Sequence, residues 1–147
     1  MAKKITLTKS AKLILPKKEE LKLLVDFINY ASEYLEFDGP FKICLLHAAP
    51  DEPITLGCYR TDKRDIRAVI EKRNFLDYCR TIAHEMVHQR QQSQNRIKTT
   101  TVEENDGIGG EIEDEANAVA GQIMKSFIKN KLNRDSRKTL GLGTYGS

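Results

Sequence analysis

His84, Glu85 and His88 are the residues best placed by type and spacing to do chemistry. They stand in the run His84-Glu85-Met86-Val87-His88, inside a stretch of helical character covering residues 75–95. Positions four apart share one face of a helix, so both imidazoles can reach a single metal ion. Glu85 lies beside them, close enough to hold a water on that ion. Zinc suits such a site because it accepts nitrogen and oxygen ligands and lowers the pKa of its water towards neutrality. Ile82, Ala83, Met86 and Val87 lay an apolar stripe around the pair, so one side of this helix is expected to be buried. A carboxylate buried there without a partner is costly, and a metal-held water removes that cost. The pattern fixes only three positions in five and also arises by chance, so the rest of the chain has to supply the remaining ligand.

A catalytic zinc uses three protein ligands and keeps one position open. His47 is the only other histidine and ends an apolar strand, where a structural role is commoner. Carboxylates are better candidates. A helix expected over residues 111–132 opens Glu111-Ile112-Glu113-Asp114-Glu115-Ala116-Asn117. Along it, Glu113, Ala116, Asn117, Ala120 and Gly121 fall on one side at helical spacing. The small residues among them permit close approach to the histidine helix, and Glu113 then points at it. Glu113 is therefore the expected third ligand, with Glu115, Glu111 and His47 as alternatives. Asn117, one turn on, is placed to hydrogen-bond a ligand histidine.

The elements that must position these groups follow from periodicity. Residues 1–16 read as an extended, basic N-terminal stretch ending at Pro16. Residues 17–37 read as a helix, with Leu21, Leu24, Val25, Ile28, Ala31 and Leu35 at helical spacing and Glu19 and Glu20 in its first turn. Asp38-Gly39-Pro40 stops it. Three strands are expected at 41–47, 54–60 and 66–70, with a polar connector at 61–65 that can close a hairpin. Polar residues 89–94 read as a solvent-exposed helix end, and 96–110 as a loop. The helix over 111–132 carries Ile112, Ala116, Val119, Ile123 and Phe127 on its core face. The glycine-bearing end of the chain reads as a flexible tail over 133–147.

Composition sets the class. The chain has 147 residues, 39% of them hydrophobic and 31% charged, which suits one globular α+β domain rather than a disordered chain. No apolar run reaches membrane-span length, and no secretory signal follows the basic N-terminus. A cytoplasmic location is expected. Cys44, Cys58 and Cys79 are odd in number and widely spaced, which fits small buried side chains better than a disulfide framework. The net charge of +3 is mild. It gathers in basic ends, six lysines over residues 3–18 and a second cluster over 125–138, around an acidic stretch at 103–115. Without interleaved aromatics these ends are expected to be solvated faces, and nucleic acid is not an expected partner.

His84-Glu85-Met86-Val87-His88, followed downstream by Glu113-Asp114-Glu115-Ala116-Asn117-Ala118-Val119-Ala120, resembles the gluzincin class of zinc metallopeptidases. The arrangement is most similar to small ImmA/IrrE-like and phage-encoded zincins. The resemblance covers roughly residues 41–127. It implies a minimal zincin fold at 17–132: an N-terminal helix, a small three-stranded, mostly antiparallel sheet, the histidine helix and a glutamate helix. It implies a Zn2+ cofactor held by His84, His88 and Glu113, the Glu four residues before Asn117. Glu85 would act as general base, and a peptide bond in a protein or peptide substrate would be hydrolysed. Asn117 stands where many relatives carry Asp, which would make a ligand histidine less basic. Tyr59 and Arg60 are the candidate oxyanion donors, and the strand at 54–60 or at 66–70 is the candidate substrate edge. A different class of function is a zinc-stabilised zincin-like module without turnover, part of a larger, phage-borne or virion-associated assembly.

Overall fold

A computed structural model describes residues 4–48, 56–97 and 110–141 of the chain. It is an α+β fold in which helices pack on one face of a four-stranded mixed sheet. The strands are β1 (Ile5–Lys9), β2 (Phe41–Leu46), β3 (Gly57–Arg60) and β4 (Asp65–Val69). The helices are α1 (Lys18–Leu35), α2 (Phe75–Ser93), α3 (Glu111–Lys131) and α4 (Arg134–Thr139). The sheet order is β1-β2-β4-β3. β1 and β4 both run parallel to β2, and only β3 is antiparallel to its neighbour β4.

This corrects the expected three-stranded, mostly antiparallel sheet. The additional strand lies in the basic N-terminal stretch. In β1 the alternation of Ile5 and Leu7 against Thr6 and Thr8 puts the two aliphatics on the face that Phe41 and Ile43 occupy next door. Buried Phe41, Ile43 and Leu45 of β2 continue in register into Ile66 and Ala68 of β4, a period-two pattern that marks one covered face. The hairpin expected through the 61–65 connector joins β3 to β4; Asp65 already belongs to β4, so the turn is residues 61–64, with Arg64 in the left-handed region.

α1 buries Leu24, Phe27, Ile28, Ala31 and Leu35. It ends where Glu36 turns left-handed and Phe37 N–H returns to the Ser32 carbonyl, a closure that satisfies late carbonyls of the helix. α2 starts at Asn74, whose side chain accepts the Asp77 N–H at 2.9 Å, the standard role of an Asn cap. α2 is the hub: it packs most heavily on α3 and also meets α1, β3 and β4. Ala116 and Ala120 of α3 are fully buried in that contact region, and small side chains there let two helices approach closely. Residues 134–139, read from sequence as part of a tail, form the short helix α4, capped by Asn133. Most of the expected 96–110 loop and the last six residues of the chain lie outside the described residues. Among the described residues no helix is long and apolar enough to cross a membrane.

Candidate metal centre

The site is assembled from two helices. α2 presents His84 and His88 one turn apart, with their Nε2 atoms 3.1 Å from each other. α3 brings Glu113 against both: its carboxylate oxygens lie 3.2 Å from His84 Nε2 and 2.8 Å from His88 Nε2. Two ring nitrogens and a carboxylate, all able to offer lone pairs, thus converge on one point. Such a cluster can share a proton or hold a metal ion. His84, Glu85 and His88 also form a group whose ligand-type atoms all lie within 4.8 Å of one another. Of the two carboxylates, Glu113 makes direct contact with both imidazoles, so the donor set we favour is His84, His88 and Glu113, with Glu85 alongside.

Burial grades across the site. His88 is almost enclosed, His84 is partly open, and the Glu113 side chain is half exposed. One side of the cluster therefore faces solvent. Burial pushes the His84 imidazole below its ordinary pKa, and the adjacent His88 pushes the same way. Glu113 and a hydrogen bond with Asn117 oppose this. The Asn117 contact is the one its place a turn beyond Glu113 anticipates. Glu85 is only 6% exposed. Burial, and secondarily the Glu113 charge, pushes its carboxyl up to about 8. A carboxyl held near neutrality by its surroundings is suited to taking and returning a proton.

Other residues singled out from the sequence have different places. His47 exchanges hydrogen bonds with Ser10, its Nδ1 lying 2.9 Å from the hydroxyl, and ties β2 to the chain leaving β1. Glu115 binds Arg96 through both carboxylate oxygens at 2.8 and 2.9 Å and is also contacted by Gln91. The Tyr59 hydroxyl bonds the Gln92 side chain, and Arg60 forms a two-point pair with Asp65 at 2.6 and 2.5 Å. Both expected oxyanion donors are therefore engaged within the hairpin and its support. β4 is interior, paired on both sides, so of the two strands considered for substrate only β3 is an edge. It lies close over α2: a methyl group added at Gly57 would collide with Thr81 Cγ2.

The polar end of α2 differs from its expected exposure. Gln89, Gln91 and Gln92 are 6%, 0% and 7% exposed. Gln89 Nε2 donates to the Pro40 carbonyl, Gln92 Nε2 to the Thr61 carbonyl, and Gln91 meets His88 and α3. Glutamine amides can be buried when hydrogen bonds are made, though Gln89 Oε1 has no partner among the described residues; periodicity of apolar residues is blind to such burial. One signal was present: 84, 88 and 91 fall at i, i+4 and i+7, a single helix stripe. Neither protein-family models, nor curated proteins, nor solved structures provide a match to this chain.

Proposed function

We propose that this protein is a zinc-dependent metallopeptidase with a gluzincin-like ligand set, His84, His88 and Glu113. The observation that carries the reading is the convergence of His84 Nε2, His88 Nε2 and the Glu113 carboxylate at separations of 3.1, 3.2 and 2.8 Å. Ligands about 2.0–2.1 Å from a tetrahedral zinc stand roughly 3.3 Å apart, so the donors fit that ion with little rearrangement. The half-exposed Glu113 side leaves room for the open fourth position that a catalytic site needs.

When bound, zinc supplies Lewis-acid polarisation of water and of a carbonyl. The residues of the chain do the rest. Glu85 takes a proton from the attacking water onto its carboxylate and delivers it to the leaving amine. Its burial keeps that proton from bulk solvent. Among the described residues the outer side of β3 pairs with no strand, so its main-chain N–H and C=O groups are offered to an extended peptide, which would add as a further strand. An intact general base next to the ligands favours turnover over a purely structural metal, which has no use for one.

The test is zinc per chain in untagged protein, measured by elemental mass spectrometry for wild type and Glu113→Ala. Close to one zinc in the wild type and a marked loss in the variant is the expected result. No zinc in the wild type after metal is supplied would overturn the proposal. Full retention in Glu113→Ala would remove Glu113 from the ligand set.

A further inference from the structure

Gln91 is fully buried, and each of its amide atoms has a defined task. Nε2 lies 3.1 Å from the Ile112 carbonyl oxygen and 3.1 Å from Glu115 Oε1. Both of those atoms only accept hydrogen bonds, so the NH2 end of the amide has to face them. A flipped amide would set oxygen against two oxygens. The other end is thereby fixed: Oε1 lies 2.7 Å from His88 Nδ1, and an amide oxygen can only accept. Nδ1 must then carry the hydrogen, which leaves the Nε2 lone pair of a neutral His88 directed at His84 and Glu113. Glu115 is itself held by the two-point contact with Arg96, so the amide does not rest on a loose partner.

We infer that Gln91 is a positioning residue for the metal centre, fixing His88 in the tautomer that coordinates through Nε2 and locking α3 in the register that brings up Glu113. This rests on the metal reading above. Gln91 touches neither substrate nor metal in this scheme. It acts through His88 on one side and through the first turn of α3 on the other. Partners of this kind fix ring orientation, and their loss commonly lowers metal affinity about 10–100-fold.

The experiment compares wild type and Gln91→Met. Met keeps the length and burial of the side chain but removes the acceptor. Zinc affinity is read by chelator competition, and the His88 Nδ1–H by 15N imidazole spectra of both the zinc-loaded and the metal-free protein. Gln91→Met is expected to bind zinc about 10–100-fold more weakly and to lose the exchange-protected Nδ1–H signal. Gln92→Met, which removes another buried amide, one bonded to Tyr59 and Thr61 rather than to a histidine, controls for general destabilisation and is expected to leave the Nδ1–H signal in place.

Wild-type affinity in folded Gln91→Met would overturn the inference. If wild type binds no zinc, the metal reading fails by itself, and the spectra still decide the tautomer. A protected Nδ1–H present in wild type and absent in Gln91→Met upholds the positioning role, and its absence from wild type refutes it.

Discussion

The two halves of α2 are built on different principles. Its first half buries Phe75, Tyr78, Cys79, Ile82 and Ala83, nearly all apolar, into the common core with β2, β4 and α1. Its second half buries Glu85, His88, Gln89, Gln91 and Gln92 beside Met86 and Val87. Apolar burial is non-directional and scales with area, so the first half contributes mainly stability. Polar burial is tolerated only where partners are met with good geometry, so the second half contributes definition of place. One continuous helix thus serves as structural pillar at one end and as instrument mount at the other.

That contrast can be broken by substitution. The largest effect is expected at Glu85→Gln, which keeps the shape of the side chain and removes the base. Hydrolysis should fall by about 10²–10⁴-fold while zinc content and melting temperature stay near wild type. Wild-type turnover in that variant would remove Glu85 from its role. In the first half, Ile82→Ala should do the reverse. It should cost about 2–5 kcal/mol of stability in denaturant titration, with zinc affinity of the folded fraction unchanged. A large loss of affinity per folded molecule would show that the two halves are not separable.

A smaller effect is expected at the hairpin that carries the edge strand. The Arg60 guanidinium hydrogen-bonds Asp65 and holds its carboxyl below the usual range. A depressed folded-state pKa means a contribution fully present above the unfolded value of about 3.9 and lost as pH falls through the folded value. For this partly exposed pair the contribution is about 1 kcal/mol or less. Wild type minus Asp65→Asn stability should therefore shrink only in acid, below about pH 4. A difference that persists unchanged at lower pH would show that the charge pair is not its source. The smallest effect is a gain. At Gly121 an added Cβ would meet only Arg80 Nη1, at 3.8 Å, the far end of a flexible side chain. Gly121→Ala should raise stability by about 0.5–1 kcal/mol through helix propensity, and a loss of stability would mean that the α2–α3 contact is tighter than this spacing implies.

The legibility of the chain follows the same division. Helical spacing in α1, α2 and α3 is long and repeated, so their extents were readable to within two residues, and α+β architecture with them. β1 escaped because five residues among lysines carry little signal, and its partner β2 is parallel and far along the chain. Pairing of that kind is a tertiary outcome, which local pattern does not encode. Phe27 was absent from the expected α1 face because it stands beside Ile28, and both are buried in a helix gripped on a wide arc. At the site, the i and i+4 histidines were readable from helix geometry, and the small residues Ala116 and Ala120 indicated where α3 comes close. The glutamines were not readable, because a polar side chain announces burial only through partners on other segments, such as Pro40, Thr61 and Ile112.

Glu113 reaches the histidines from a separate helix, and that separation has a thermodynamic consequence. A cation held by all three residues would act as a crosslink between two segments of chain, closing the long connection that runs from α2 to α3. Binding energy at such a crosslink is also folding energy. At a free ion concentration 100 times the dissociation constant it would add about 2.7 kcal/mol to the folded state. Loading of the site would then reinforce the docking of α3, and a chelator would lower the stability of this protein by that amount.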